Sequence, residues 1–175
     1  MGETLRKISF KNVITESVEI KKLVLDWRNK YFVRCNMLTQ SELTEEEYNN
    51  WLENLQTDET EKYWVVYLEN KPIGALNLRK INRKSKSAEI EFYIGEQRYL
   101  GYGWEKRIFD KFLEVLLIDE GLEKIVSRVL STNAGMYSIY MKNDFRQIDE
   151  YTDNVDGKEL RVCVLEFSKR EWGEE

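Results

Sequence analysis

The sequence contains no histidine among its 175 residues. A Ser-His-Asp triad, a Cys-His pair, a histidine-ligated zinc site and a histidine general base are therefore excluded. Any proton transfer must use a carboxylate, a tyrosine, a lysine, a cysteine or water. This absence narrows the candidate catalytic side chains before any motif is considered.

Cysteine is scarce as well, since the chain has only Cys35 and Cys163. They form no CxxC pair, so no metal site is expected, and two reduced thiols fit a cytoplasmic protein. Long apolar runs are missing: the segment 115–118 is among the longest, far too short to cross a bilayer. No apolar stretch follows the charged N-terminus as a secretory signal would require. We therefore expect a cytoplasmic protein without a metal or a membrane partner.

The net charge is −5 and no cluster of lysine and arginine is present, which argues against nucleic acid as a partner. What is present is an ordinary globular composition, with 42% hydrophobic and 34% charged residues. This length suits one hydrophobic core, and no linker, repeat or low-complexity segment divides the chain. We expect residues 1–175 to form a single domain.

Apolar spacing predicts the element order β-α-α-β-β-β-α-β-α-β-β. The segment Thr44–Glu47 is a capping box that opens the second helix, and strict alternation over Ser87–Ile94 indicates a two-faced strand. The fold class is α/β (α+β), a mixed sheet of about seven strands flanked by about four helices. The predicted strands are 5–10, 63–68, 73–78, 87–94, 124–130, 145–151 and 160–167, and the other predicted helices are 16–28, 103–119 and 134–142.

A glycine-containing loop, 97–103, lies between the two-faced strand and the third helix. Gly101 and Gly103 allow a tight turn that brings backbone N–H groups toward an anion, and Arg98 and the helix dipole add positive potential. A diphosphate fits this arrangement, whereas a plain strand-to-helix turn is the alternative interpretation. A Walker loop is excluded because Trp104 follows the second glycine where lysine would be required.

A second motif lies about thirty residues downstream, where Tyr140 follows Asn133 by seven residues, Lys142 follows two later, and Phe145 three further on. Together with Arg98, Gly101 and Gly103 it resembles the GNAT acetyltransferase superfamily. The resemblance implies the GNAT fold, acetyl-CoA as co-substrate and transfer of acetyl to an amine. Two departures reshape the site: Met136 stands where a small residue is usual, and Asp144 replaces a common glycine.

The resemblance assigns roles to individual residues. Asn133 would bind the CoA arm, and Tyr140 would protonate the leaving thiolate, for which a phenol is suited at neutral pH. Core packing is the alternative role for Tyr140. The implied cofactor-binding residues are Phe92, Tyr93, Ile94, Arg98, Tyr99, Leu100, Gly101, Tyr102, Gly103, Trp104, Asn133, Tyr140 and Lys142.

The attacking amine must also lose a proton. Glu89 and Glu91 share one face of the two-faced strand, so either is a candidate base, acting directly or through water. The alternative is that both are solvated strand carboxylates, and that a partly buried amine deprotonates because burial lowers its own pKa.

The N-terminal third carries the sequence Trp27–Asn29 and the pair Val33-Arg34. This series resembles the aminosugar N-acetyltransferases of the pseudaminic acid pathway, which implies a UDP-linked 4-amino-4,6-dideoxy sugar as acceptor. Arg28 could bind the phosphates or hydroxyls of a nucleotide sugar, or simply be a cation at a helix C-terminus. The candidate substrate residues are Arg28, Asn29, Asn77 and Tyr93.

Two other functions remain open at this point. Ribosomal-protein and peptide N-terminal acetyltransferases share a similar start, and a non-catalytic CoA-binding module is the non-enzyme alternative. Aromatic residues near the last strands, such as Trp172, are candidates for a homodimer contact.

Overall fold

Seven strands join in one sheet in this computed structural model, which describes residues 6–169. The order across the sheet is β1-β2-β3-β4-β5-β7-β6, and only β4 and β5 are parallel. The strands are β1 Ile8–Asn12, β2 Lys62–Leu68, β3 Lys71–Asn82, β4 Ser87–Ile94, β5 Lys124–Leu130, β6 Arg146–Val155 and β7 Lys158–Ser168, and the helices are α1 Val18–Asn29, α2 Tyr31–Arg34, α3 Glu45–Leu55, α4 Trp104–Ile118 and α5 Ala134–Met141.

The two faces of the sheet carry separate hydrophobic clusters, because successive side chains of a strand point to opposite faces. On one face, residues such as Leu76 and Ile90 pack against Phe109 of α4. On the other, Val65 and Ala75 belong to a cluster with α1 and α3. Because apolar side chains of the strands point to both faces, helices pack against each side of the sheet.

The parallel strands β4 and β5 pair only briefly. Their register runs over three residue pairs, from Ser87 with Lys124 to Glu89 with Val126. Beyond this point β4 stays paired with β3 as far as Ile94, but β5 continues along β7 instead. The sheet therefore splits between β4 and β5, and the split is the feature that positions the site described below.

The predicted fold class and the seven strands are confirmed, and the capping box of α3 is present, with Thr44 and Glu47 bonded reciprocally. Residues 6–169 contain five α-helices, where about four helices were predicted. The additional helix, α2, is a single turn of four residues, which is too short to show helical periodicity. Asp144 adopts a left-handed φ of 63°, the conformation for which a glycine is usual at this position and which Asp tolerates.

Two predictions fall partly beyond the described residues. Leu5, where the first strand was predicted to begin, and Trp172, the candidate dimer contact, both lie outside residues 6–169, so the dimer stays a prediction. No helix within that range combines the length and the apolar character needed to cross a membrane.

Helix α1 is fixed to the end of β4 by a close approach of two residues. The Trp27 side chain is fully buried and its indole N–H donates to Glu96 at 2.9 Å. A Cβ atom on Gly95 would overlap the Trp27 ring, so only glycine fits there. The loop that follows β4 is held against α1 by this contact.

We expect Gly95→Ala to lower the free energy of unfolding by about 1–3 kcal/mol, because the added methyl overpacks the Trp27 contact. Urea denaturation measures the change. Gly135→Ala is the matched control: its Cβ would meet no atom within 4 Å, and replacing a helical glycine by alanine should stabilise slightly. If Gly95→Ala were as stable as the parent, the contact between Gly95 and Trp27 would not be as close as we propose.

Candidate active site

A cavity of about 390 Å³ fills the split between β4 and β5, and we call it the gap cavity. Its walls come from the end of β4, the middle of β5, the glycine-containing loop, α5 and the segment around α2. Because the cavity lies within the sheet, it is reached by side chains from both faces. The lining residues are Phe32, Val33, Asn36, Met37, Leu38, Glu91, Phe92, Tyr93, Ile94, Leu100, Gly101, Gly103, Glu105, Ser127, Arg128, Val129, Asn133, Gly135, Met136, Ile139 and Tyr140.

The glycine-containing loop borders one end of this cavity. Gly101 and Gly103 both have φ of 79°, a left-handed conformation that explains the need for glycine. Gly103 is the N-cap of α4 and provides no side-chain cap, so the first-turn N–H groups depend on other acceptors. The N–H of Gly101 donates to the Glu105 carboxylate at 3.1 Å. An anionic oxygen is thus already bound by this loop.

The structure brings some of the predicted cofactor residues to the cavity and places others elsewhere. Those that line it are Phe92, Tyr93, Ile94, Leu100, Gly101, Gly103, Asn133 and Tyr140. Arg98 lies instead in an adjoining open depression, where its guanidinium stacks on Tyr99. Tyr99 and Trp104 pack on the core, whereas Tyr102 and Lys142 are exposed.

Tyr140 serves packing and lines the cavity at once, so its two proposed roles are compatible. Its ring makes edge contacts with Phe109 and Phe145, each with centroids 4.9 Å apart. Burial raises the pKa of Tyr140 well above its ordinary value, and the nearby Ser127 hydroxyl offsets this only in part. The phenol therefore keeps its proton throughout the physiological pH range.

The two candidate bases differ sharply in surroundings. Glu89 is bound by Lys80 and Arg128 and does not line the gap cavity. Burial alone would raise the pKa of Glu89, but the hydrogen bonds from Arg128 and Lys80 outweigh it and lower the pKa overall. A carboxylate held by two cations is a poor proton acceptor, so these surroundings do not favour Glu89 as the base, and its role stays a prediction.

Glu91 has a different position. It lines the gap cavity, and Arg79 binds its Oε1 at 2.7 Å. Its Oε2 has no hydrogen-bond partner among residues 6–169. Of the two carboxylates, Glu91 is the one that lines the gap cavity, and its role as the base stays a prediction.

A second cavity of about 340 Å³ lies between the sheet and helices α1 and α3, and we call it the helix-side cavity. Its floor is one face of β2, β3 and β4, and its other walls come from α1, α3 and Leu43. The lining residues are Val24, Arg28, Met37, Leu43, Glu47, Tyr48, Trp51, Glu61, Tyr63, Ala75, Asn77, Arg79, Glu91 and Tyr93.

Three of the four predicted substrate residues line the helix-side cavity: Arg28, Asn77 and Tyr93. Arg28 donates from Nη2 to the Thr39 carbonyl at 2.6 Å, forms no ion pair with any residue in the range 6–169, and has a buried Nη1 without a partner there. Tyr93 bonds the Tyr63 hydroxyl at 2.9 Å, and burial raises the pKa of Tyr93 to about 12.

The fourth residue, Asn29, is not at the cavity. Its amide donates to the Leu43 carbonyl and accepts from the Leu43 N–H, each at 2.8 Å. Arg34 is used in a similar way, because its guanidinium binds the carbonyls of Asn29 and Gln40. Both side chains therefore shape the segment that follows α1, and because the amide of Asn29 is occupied, its role as a substrate ligand stays a prediction that this geometry does not favour.

The two cavities meet at three residues that line both: Met37, Glu91 and Tyr93. Glu91 and Tyr93 belong to the face of β4 that forms the floor of the helix-side cavity. Because β4 borders the split, the same side chains also reach the gap cavity. A ligand in each cavity would meet its neighbour beside the Glu91 carboxylate.

Several lining residues were not recognised from sequence. Ser127 to Val129 come from β5, whose position beside the split depends on strand order. Tyr63 and Arg79 share the floor of the helix-side cavity with Asn77. Alternation in their strands places them on one face of each strand, but only the pairing register aligns the three strands.

Comparison with known proteins identifies relatives among the acetyltransferases. The family model for an acetyltransferase (GNAT) domain matches residues 14–146. The chain is 26% identical over 147 residues to acetyltransferase PseH of Campylobacter jejuni, covering 83% of this chain and 89% of that protein.

Two solved structures share the fold. The crystal structure of Campylobacter jejuni N-acetyltransferase PseH in complex with acetyl coenzyme A has a TM-score of 0.71 at 19% identity, covering 93% of this chain and 99% of that one. The spermidine N-acetyltransferase from Vibrio cholerae in complex with CoA and spermine has a TM-score of 0.84 at 16% identity, covering 95% and 98%.

The lowered pKa of Glu89 predicts a pH-dependent stability. A carboxylate whose pKa is depressed on folding stabilises the fold above its unfolded pKa, and this contribution is lost as pH falls through the folded value. We expect the parent to lose more unfolding free energy than Glu89→Gln between about pH 5 and pH 3. Denaturant titrations at several pH values measure the difference. Glu114→Gln, which removes an exposed pair with Lys111, should follow the parent; identical pH profiles for all three proteins would refute the assignment.

Proposed function

The chain belongs to the GNAT acetyltransferase family and is an acetyl-CoA-dependent N-acetyltransferase, and we propose that its acceptor is a nucleotide-linked amino sugar. The specific acceptor proposed is the 4-amino group of a UDP-linked 4-amino-4,6-dideoxy sugar, as expected for a relative of PseH in pseudaminic acid biosynthesis. We also propose that residues 1–175 act as a single domain.

The observation that carries the two-substrate part of this proposal is the meeting of the two cavities at Glu91 and Tyr93. A group-transfer enzyme must bring two substrates together while it keeps them in separate subsites. The gap cavity and the helix-side cavity provide these subsites. The wall that the two cavities share contains the Glu91 carboxylate, beside the point proposed for acetyl transfer.

The gap cavity fits acetyl-CoA on the evidence of its own residues. The edge of β4 that faces the split has no strand partner after Glu89, so its backbone can bind an extended pantetheine arm as an added strand. The loop at Gly101 already holds a carboxylate oxygen, which indicates that it can hold a diphosphate oxygen. Bound acetyl-CoA supplies the activated thioester.

The side chains at the junction supply the proton transfers. Glu91 accepts the proton that the amine releases, with Arg79 holding the carboxylate in place. Tyr140 donates its hydroxyl proton to the departing sulfur, and its position in the gap cavity suits that role. Arg98, Tyr99, Tyr102, Trp104 and Lys142 remain proposed contacts that do not line the cavity.

Arg28 in the helix-side cavity favours an acceptor that carries an anionic or hydroxylated group beside its amine. Arg28 is a cation with an unpaired donor in a partly closed space, and a phosphate or sugar oxygen would satisfy it. The carboxylates of Glu47, Glu61 and Glu91 are already bonded to Thr44, Trp51 and Arg79. Of these three carboxylates only Glu91 is paired with a cation from the described part of the chain, because Thr44 and Trp51 are neutral donors.

An acetylation assay tests the acceptor directly. Acetyl-CoA is offered with a UDP-linked 4-amino-4,6-dideoxy sugar, with spermidine and with peptides that have free N-termini, and product masses are recorded. We expect the nucleotide sugar to give the highest kcat/KM. A preference for peptides would favour the protein-acetyltransferase alternative, and binding of acetyl-CoA without any product would favour a non-catalytic module.

We expect Tyr140→Phe to lower kcat by roughly 100-fold or more, the usual contribution of a positioned general acid. The KM for acetyl-CoA should change little, because phenylalanine keeps the contacts with Phe109 and Phe145. Tyr137→Phe is the matched control, since that hydroxyl on the same helix bonds Gln147 outside the cavity. If Tyr140→Phe left kcat unchanged, Tyr140 would have a packing role only.

We expect Arg28→Ala to raise the acceptor KM about ten- to a hundred-fold, the value of a lost charge-assisted hydrogen bond. The KM for acetyl-CoA should remain nearly constant. Lys22→Ala, which removes an exposed cation from the same helix, serves as the charge control. If Arg28→Ala raised neither KM, Arg28 would be a helix-terminal cation only.

A further inference from the structure

The helix-side cavity contains an unusual group of buried polar atoms. Arg28 Nη1, Tyr48 Oη, Asn77 Oδ1 and Arg79 Nε are each inaccessible to solvent and have no hydrogen-bond partner within residues 6–169. Tyr48 and Asn77 are also more than nine-tenths buried as whole residues, at 5% and 9% exposure. All four side chains line the same cavity.

Unpaired buried polar atoms are costly, because each has given up its hydrogen bonds to water. They are rare in folded proteins, and an isolated one needs a local explanation. Four that belong to side chains around one cavity have a common explanation if these side chains turn toward a ligand that supplies the missing partners. The identity of the atoms then describes the ligand.

The position of Asn77 relative to Glu91 gives the first constraint. The two residues are direct cross-strand partners on β3 and β4, and both side chains line the cavity floor. Directly opposed residues in an antiparallel pair have Cβ atoms about 4.5–5.5 Å apart. If Glu91 faces the amine, the Asn77 carbonyl oxygen faces a group on a neighbouring atom of the same substrate.

The chemistry of the four atoms gives the second constraint. Asn77 Oδ1 only accepts, so the group beside it must donate a hydrogen bond. The Tyr48 hydroxyl and the Arg79 Nε–H can each donate to an oxygen in the same space. A hydroxyl both donates and accepts and is uncharged, so its chemistry matches an acceptor such as Asn77 Oδ1 and a donor such as the Tyr48 hydroxyl.

We propose that the acceptor is a vicinal amino alcohol, and that Asn77 and Tyr48 select it by binding the hydroxyl adjacent to the reacting amine. This rests on the proposed function, since it assumes that the amine is presented to Glu91 from the helix-side cavity. On a 4-amino sugar the hydroxyl is the one on the neighbouring ring carbon. Spermidine carries a methylene group there and leaves both side chains unpaired.

The proposal has a consequence for stability that distinguishes it from a structural role. A hydroxyl kept for a ligand contributes nothing favourable to the free protein. Tyr48→Phe should therefore leave the melting temperature unchanged or raise it, while the acceptor reaction weakens. A hydroxyl with a structural role would give the opposite result for stability.

Two matched substrate pairs test the inference, and each pair differs by one hydroxyl. The first is the UDP-linked 4-amino-4,6-dideoxy sugar and its 3-deoxy counterpart, and the second is trans-2-aminocyclohexanol and cyclohexylamine. We expect the parent to prefer the hydroxyl-bearing member about ten-fold or more in kcat/KM. Asn77→Leu should abolish most of this preference, and Tyr48→Phe should reduce it.

Tyr67→Phe is the control, because Tyr67 is buried in the same hydrophobic cluster but does not line the cavity. It should keep the parent's preference. Equal use of both members by the parent, or an unchanged preference in Tyr48→Phe and Asn77→Leu, would overturn the inference. Should the nucleotide sugars fail but the small pair show the preference, the proposed nucleotide sugar would be wrong and the selection of the hydroxyl would stand. If Asn77→Leu does not fold, the Tyr48→Phe result decides.

Discussion

The site depends on one constraint, the early end of hydrogen bonding between the parallel strands β4 and β5. After three paired residues, β5 follows β7 while β4 follows β3. The backbone groups of β4 that face the split are then without a ladder partner, and such groups must be satisfied by other means. The Ser127 hydroxyl does this for the Ile90 carbonyl at 3.2 Å. The rest of this edge is open to a ligand that forms hydrogen bonds as a strand would.

The split also connects the two faces of the sheet, which are otherwise separated by continuous strands. Residues of β4 that point to the helix-side cavity are exposed at the split to the gap cavity as well, and this is why Glu91 and Tyr93 line both. Glu89, two residues earlier on the same face, lies where β4 and β5 are still paired. There Arg128 of β5 reaches it, so its position on the strand gives it a cation as partner.

Local patterns predicted the strands, the capping box of α3 and the glycine-containing loop, because each depends on residues that are close in sequence. The separation of Glu89 from Glu91 could not be predicted, since both occupy the same face of one strand and differ only in neighbours from β3 and β5. The same limit applies to Asn29: its residue type suits a sugar, but Leu43, fourteen residues later, occupies its amide. Which polar side chains are free to bind a ligand is a property of tertiary contacts.

The two subsites also differ in how they can encode specificity. The gap cavity presents backbone edges and a glycine-containing loop, and backbone groups are present whatever the side chains are. The helix-side cavity presents side chains. Six buried side-chain polar atoms have no partner among residues 6–169, and four of them belong to residues that line this cavity. Each unpaired atom lowers the stability of the free protein. A ligand that formed hydrogen bonds with these four atoms would remove this destabilisation. Backbone groups of the first subsite suit a co-substrate common to the whole family, whereas under our proposal the choice of acceptor depends on Arg28, Tyr48, Asn77 and Arg79.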